Sequence, residues 1–83
     1  MVQNNRKRDK PITLEALRKK AKYTQRSLAA RLGTTADMIV HWEKGRKIPR
    51  LDNAIALACV LGVSLKTLSE SLGFDVSALP DED

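Results

Sequence analysis

One alanine and one glycine, set four positions apart between two apolar runs, restrict this chain more than any other feature of its sequence. Counted from Gln25, leucine stands at the fourth and eighth positions, alanine at the fifth, glycine at the ninth, isoleucine at the fifteenth and tryptophan at the eighteenth. The apolar spacing of three to four residues predicts two short helices, one on each side of Gly33. Such helices pack closely only if the residue at their crossing is small and the turn allows a left-handed backbone angle, which Ala29 and Gly33 provide.

Residues that favour helix ends extend this pattern to the rest of the chain. Good N-caps stand at Thr13, Thr24, Thr35 and Ser64, and glycines that end a helix stand at Gly33, Gly45 and Gly62. The spacing predicts helices over about residues 14–22, 35–44, 51–61 and 64–72, with a two-turn helix between Thr24 and Gly33. A chain of 83 residues with 42% apolar side chains supports one modest core. We therefore expect one compact all-α domain of five helices.

The apolar positions predict which side of each helix enters this core. They are, helix by helix, Leu14, Leu17 and Ala21; Leu28, Ala29 and Leu32; Ile39 and Trp42; Leu51, Ile55, Ala58 and Leu61; and Leu65, Leu68 and Leu72. The single cysteine, Cys59, lies in an apolar run, and we expect it to be a small buried hydrophobe. One cysteine cannot form a disulfide or a cysteine-based metal site within one chain.

Charge divides the chain unevenly. Residues 1–50 contain 14 lysines and arginines and 4 acidic residues, a net charge of +10, whereas residues 51–83 contain 1 lysine and 6 acidic residues, a net charge of −5. We expect a flexible basic arm at residues 1–11, a folded domain at 12–73 and an acidic tail at 74–83. Lysines and arginines that displace counterions from phosphate favour a polyanionic partner, and a solvated surface is the alternative.

The ordered markers of the central segment resemble those of the Xre/Cro family of helix-turn-helix proteins. The markers are the run Gln25–Thr35, then Ile39, Trp42-Glu43-Lys44-Gly45, Pro49 and Leu61-Gly62-Val63-Ser64-Leu65, and the resemblance covers about Leu14 to Leu72. It implies a five-helix, lambda-repressor-like DNA-binding domain, with the helix-turn-helix formed by the second and third helices.

The resemblance also implies roles for individual residues. The third helix would lie in the major groove and contact bases through Thr35, Ala36, Asp37, Val40 and His41. Phosphate contacts would come from Gln25, Lys44, Arg46, Lys47 and Arg50. The family pairs an arginine of the first helix with the glutamate after the tryptophan, so Arg18 and Glu43 are expected to be structural.

The base-reading positions depart from the family pattern. Ala36 and Asp37 stand where the family commonly presents Gln, Asn, Arg or Ser, which pair well with adenine or guanine. Alanine can contact only a thymine methyl, and Asp37 either accepts from cytosine N4 or serves the helix dipole alone. His41 is the best remaining polar reader, and an idle surface histidine is the alternative.

The basic arm is the expected second source of specificity. Arg6, Lys7, Arg8 and Lys10 are similar to the basic arms of some phage repressors, and such side chains fit a narrow minor groove. The alternative is charge that only improves solubility.

The leading functional hypothesis is sequence-specific binding of double-stranded DNA by a transcriptional regulator, a repressor. We expect a homodimer formed through the fifth helix and the C-terminal residues, namely Leu65, Leu68, Leu72, Phe74, Val76 and Leu79. The alternative is an antitoxin that binds a toxin, or a protein-interaction adaptor with the same fold.

Other classes are disfavoured. The chain has one histidine, one cysteine and no glycine-rich phosphate loop, so we expect no enzyme, no cofactor and no metal. No run approaches the roughly 18 apolar residues that span a bilayer, and the first residues lack the apolar segment expected of a signal peptide. We expect no membrane partner and a cytoplasmic protein, and the resemblance implies a bacterial or phage-encoded one associated with the nucleoid.

Overall fold

Five α-helices make up the part of the chain that the structure describes. The computed structural model describes residues 12–74, and helices α1 to α5 span Leu14–Lys20, Gln25–Leu32, Ala36–Glu43, Leu51–Leu61 and Leu65–Ser71. No strand occurs between residues 12 and 74, so the expected all-α architecture of five helices is confirmed. The predicted arm at residues 1–11, and the tail beyond Phe74, lie outside the described residues.

Four of the helices begin at the hydroxyl caps that the sequence predicts. The side-chain oxygens of Thr13, Thr24, Thr35 and Ser64 accept hydrogen bonds from backbone N–H groups three residues later, at 3.1, 2.9, 3.2 and 3.0 Å. These bonds satisfy N–H groups that have no partner within the helix. The exception is α4, whose N-cap Arg50 makes no side-chain capping bond.

The turn between α2 and α3 has the backbone angle that Gly33 was expected to supply. Gly33 has φ +74°, and the N–H of Thr34 donates to the carbonyl of Ala29 at 2.9 Å. A Cβ atom at Gly33 would meet nothing within 4 Å, so the glycine is required for its backbone angle and not for space.

The first helix ends two residues earlier than the predicted residue 22. Lys22 adopts φ +69°, and the N–H of Tyr23 donates to the carbonyl of Arg18 at 3.1 Å, which closes α1 after Lys20. The left-handed angle costs a residue with a Cβ about 1–2 kcal/mol, so only the tertiary structure reveals this helix end.

The core lies where the five helices meet. α2 and α3 pack against each other, α4 packs on α2 and α5, and α1 packs on α3 and α5. Within residues 12–74 nine apolar side chains are buried, and they are Leu14, Leu28, Ala29, Ile39, Trp42, Leu57, Ala58, Leu61 and Leu68. Ala29 is 3% exposed in α2, which packs against α3, in agreement with the need for a small residue there.

The expected buried side of α4 is partly wrong. Ala58 and Leu61 are buried as predicted, but Leu51 is 68% exposed and Ile55 is 48% exposed, and Leu57 takes their place in the core. Cys59 is also exposed, not buried as expected. The helix is apolar on several sides, so its sequence does not show which side meets the neighbouring helices.

In α5 only part of the predicted apolar side is buried. Leu68 is fully buried, Leu72 is half-buried and Leu65 is 43% exposed.

Among residues 12–74 no single helix is long and apolar enough to cross a membrane. Taken together, α4 and α5 have the length and composition of a membrane span, but the two helices are bent by 107° at the break between them.

Replacing Gly33 with alanine should destabilise the domain by about 1 kcal/mol, because the strain of a left-handed alanine exceeds the gain from a less flexible unfolded chain. The matched variant Lys22→Gly places glycine at the left-handed position that ends α1, and should stabilise by roughly 0.5 kcal/mol for the opposite reason. Urea unfolding followed by circular dichroism measures both. Equal stability of all three proteins would contradict the assignment of these angles.

Candidate nucleic-acid interface

Helix α3 has one buried side and one open side. Ile39 and Trp42 are 0% and 4% exposed and hold the helix to the core. The predicted base-contact residues Ala36, Asp37, Val40 and His41 share the opposite side, because they recur at helical spacing. In that set Asp37 is exposed and the other three are half-buried, while Thr35 is exposed at the N-cap. The structure therefore brings the predicted readers together on one side of α3.

The first turn of α3 has two oxygen-bearing side chains in different situations. The Thr35 hydroxyl accepts from the N–H of Met38 at 3.2 Å, so its hydrogen is left to donate outward. Asp37 lies in the first turn, where its negative charge interacts favourably with the helix dipole. Both alternatives for Asp37, base contact and dipole residue, fit this position.

A buried ion pair ties α3 to α1. The Nε of Arg18 donates to Oε2 of Glu43 at 2.5 Å, and the two side chains are 8% and 6% exposed. The Nη1 of Arg18 also donates to the carbonyl of Tyr23 at 2.9 Å. The expected structural role of Arg18 and Glu43 is thus confirmed. Because the pair is charged and hydrogen-bonded away from water, it restricts the relative position of the two helices.

Gln25 joins the same cluster from α2. Its Nε2 donates to Oε1 of Glu43 at 2.9 Å, so the two oxygens of one carboxylate hold α1 and α2 to the end of α3. Sequence reasoning missed this bond, because Gln25 and Glu43 are 18 positions apart. The amide retains one N–H and its oxygen, so its predicted phosphate contact stays a prediction.

The loop after α3 is anchored by its backbone. Gly45 has φ +75°, and the N–H groups of Arg46 and Lys47 donate to the carbonyl of His41 at 2.9 and 3.4 Å. Pro49 is buried, which holds the far end of the loop. The predicted phosphate-contact cations Lys44, Arg46, Lys47 and Arg50 are all exposed on this loop and at its ends.

A small hollow beside the loop adds two polar residues that the sequence analysis missed. Thr34, from the turn before α3, and Asn53, from the first turn of α4, line it together with Lys47 and Arg50. Thr34 and Asn53 are far apart in the chain, so no sequence signal connects them. Arg50 also lies 3.9 Å from Asp52, but both side chains are largely exposed, and such pairs contribute little.

His41 differs from the solvent-facing histidine expected from the sequence. The side chain is half-buried, and its Nδ1 is buried without a hydrogen-bond partner.

Within residues 12–74, no group of three histidine, cysteine, aspartate or glutamate residues is arranged to hold a metal ion.

A family model described as helix-turn-helix matches residues 14–77. The chain belongs to the helix-turn-helix family. The match is to its Xre and lambda repressor-like type, so the expected lambda-repressor-like fold is confirmed. This is a family of DNA-binding regulators and not a family of enzymes. No curated protein and no solved structure gives a significant match to the chain.

The family match assigns no DNA contact to any individual residue of this helix-turn-helix protein. The base contacts of Thr35 to His41 and the phosphate contacts of Gln25 and the loop cations stay predictions. The predicted minor-groove residues, Arg6, Lys7, Arg8 and Lys10, lie outside the described residues.

Removing the carboxylate of Glu43 should destabilise the domain by about 3–5 kcal/mol, because Glu43→Ala leaves Arg18 buried without its counter-charge. The control is Glu15→Ala. Lys19 hydrogen-bonds Glu15 at 2.9 Å and lowers the pKa of that carboxyl, but both side chains are more than half exposed. Its removal should change the free energy of unfolding far less than Glu43→Ala does, because water screens this exposed pair.

The double variant Arg18→Met with Glu43→Leu separates charge from packing. It removes both buried charges and should recover much of the stability that Glu43→Ala loses. Denaturant unfolding measures all three variants. A loss below about 1 kcal/mol for Glu43→Ala would contradict the assigned role of the pair.

Proposed function

We propose that this helix-turn-helix protein is a transcriptional repressor that binds a specific double-stranded DNA sequence by inserting α3 into the major groove. The observation that carries the proposal is that α3 has an open side. The helix is held by the buried Arg18–Glu43 pair and is followed by a loop whose exposed cations are anchored through its backbone. An α-helix fits the major groove, which is about 12 Å wide. Ile39 and Trp42 fix the rotation of α3, so the same side always faces outward.

The loop cations supply the affinity in this proposal. Lys44, Arg46, Lys47 and Arg50 contact phosphates, and Gln25 does so with the amide hydrogen that Glu43 leaves unused. Each neutralised phosphate releases counterions and steepens by about 0.9 the salt slope, which is the slope of the logarithm of the binding constant against the logarithm of the salt concentration. These contacts orient the protein on the duplex but are the same for every base sequence.

The side chains of α3 supply part of the specificity. Thr35 donates through its hydroxyl, Ala36 and Val40 contact thymine methyl groups, Asp37 accepts from cytosine N4 and His41 contacts a base edge. This set is poorer in bidentate readers than is usual. We therefore assign the remaining specificity to DNA shape and to the arm residues Arg6, Lys7, Arg8 and Lys10 in the minor groove.

Two copies of the protein are proposed to bind two half-sites about 34 Å apart or a multiple of that distance. One domain of this size makes few base contacts, which favours pairing. Leu65 and Phe74 are 43% and 48% exposed and suit a contact between copies. Leu68, which we expected in this contact, is fully buried in its own core, and Val76 and Leu79 lie outside the described residues.

A second function, binding of a protein partner such as a toxin, is favoured by one observation. Leu51 and Ile55 of α4 are exposed, and they are apolar residues that the fold itself does not cover. The sequence of residues 75–83 is acidic and suits a basic partner. Antitoxin activity is compatible with DNA binding, and either activity would act at the bacterial or phage-host nucleoid. Co-purification of a basic protein that requires residues 74–83 would support it.

Arg46→Ala should weaken binding by a similar factor on every DNA sequence and reduce the salt slope by about 1, because it removes one phosphate contact. The duplexes come from selection of bound sites among random DNA, and fluorescence anisotropy at several salt concentrations measures affinity. Lys19→Ala removes a cation from α1, outside the helix-turn-helix, and should leave the salt slope unchanged. An effect of Arg46→Ala confined to one base position would contradict its phosphate role.

Leu65→Asp should weaken the dimer without unfolding the monomer, because Leu65 is exposed whereas a charge at the buried Leu68 would destabilise the core. Sedimentation of the free protein and of its complex with palindromic DNA measures the assembly. A wild-type protein that stays monomeric even on palindromic DNA would refute the proposed dimer.

A further inference from the structure

The two ring nitrogens of His41 lie in different surroundings. Nδ1 is buried and unpartnered, and within residues 12–74 it is the one buried side-chain nitrogen or oxygen without a hydrogen bond. Nε2 is not among the buried unpartnered atoms, and the described residues provide it with no hydrogen bond. Nε2 is therefore the nitrogen that solvent or a ligand can reach.

This asymmetry decides where the proton of the neutral ring resides. A neutral imidazole carries N–H on one nitrogen and a lone pair on the other. A proton on Nδ1 would leave a buried N–H without an acceptor, and orphaned buried N–H groups are rarer than under-satisfied acceptors. A proton on Nε2 instead places the donor where water can accept from it. Neutral His41 therefore carries its proton on Nε2.

We infer that His41 acts as a hydrogen-bond donor only, and that the base it reads presents an acceptor: N7 of a purine, O6 of guanine or O4 of thymine. The inference rests on the proposed function, which brings α3 to the base edges. A donor-only side chain rejects the amino groups at cytosine N4 and adenine N6, which are themselves donors. Burial of Nδ1 thus converts a side chain that could donate or accept into one with a single preference.

Two neighbouring features support this role. The carbonyl of His41 accepts from the N–H of Arg46 at 2.9 Å, so the backbone that carries the ring is tied to the cationic loop. Asp37 lies one helical turn earlier on the same side, and its ionised carboxylate can only accept. Together the two side chains offer one acceptor and one donor to successive base edges.

The first experiment locates the proton without DNA. Long-range nitrogen–proton correlation spectra of the full ¹⁵N-labelled chain, at a pH where imidazole is neutral, distinguish the two ring nitrogens. We expect Nε2 to be protonated and Nδ1 to carry the lone pair. A His41 ring protonated on Nδ1 would overturn the inference while leaving the proposed DNA binding untouched.

The second experiment locates the acceptor on a duplex obtained by site selection. Each purine is replaced in turn by its 7-deaza analogue, each guanine by 2-aminopurine, which lacks O6, and each thymine by an analogue that lacks O4. We expect one such replacement to weaken wild-type binding by roughly 5- to 100-fold. Which analogue has this effect distinguishes N7 from the two carbonyl oxygens.

Matched variants assign that loss to His41. His41→Phe keeps a ring of similar size but has no N–H, so it should be insensitive to the decisive analogue, whereas Lys19→Ala, on α1 and outside the helix-turn-helix, should remain as sensitive as wild type. Circular dichroism checks that both variants are folded, and His41→Leu offers a second removal of the N–H donor. Undiminished sensitivity of His41→Phe would overturn the inference. Absence of any sequence preference would instead contradict the proposed function.

Discussion

The carboxylate of Glu43 is the interaction on which the position of α3 depends. One of its oxygens accepts from Arg18 on α1 and the other accepts from Gln25 on α2. All three helices therefore meet at one buried carboxylate, which is stable there because both of its oxygens are hydrogen-bonded. A hydrophobic contact tolerates sliding, whereas a hydrogen-bonded carboxylate does not. The cluster thus holds α3 at a defined angle to the rest of the domain.

The buried cluster and the core contact only one side of α3, so the opposite side can contact a partner. Ile39 and Trp42 bury one side, and the opposite side projects its side chains together with the cations of the following loop. The loop is itself hydrogen-bonded to α3 through the carbonyl of His41. The exposed loop cations and the side chains on the open side of α3 are therefore held together by backbone hydrogen bonds, which suits recognition by a preformed surface.

Several large apolar side chains remain exposed on α4 and at α5. Leu51 and Ile55 on α4, and Leu65 and Phe74 at α5, stay outside the core although leucine, isoleucine and phenylalanine are usually buried. Among residues 12–74, nine other apolar side chains form the core without them. Contact with a second copy or a partner protein is the role proposed for them.

By itself the sequence determined the number of helices, most of their ends and the inner side of α3. These features depend on local chemistry. Thr13, Thr35 and Ser64 cap helices by accepting hydrogen bonds from the N–H groups three residues later, and Gly33 allows the tight turn because it adopts a left-handed backbone angle. The markers between Gln25 and Leu65 were also specific enough to predict the family, which the match over residues 14–77 confirmed.

Only the tertiary structure decided which apolar residues are covered, where α1 ends and how His41 is oriented. α4 is apolar on several sides, so burial of Leu57 and exposure of Leu51 depend on where α2 and α5 lie against it. The bond between Gln25 and Glu43 likewise joins residues distant in the chain. Local spacing carries no information about such contacts, because they form only when the helices have assembled.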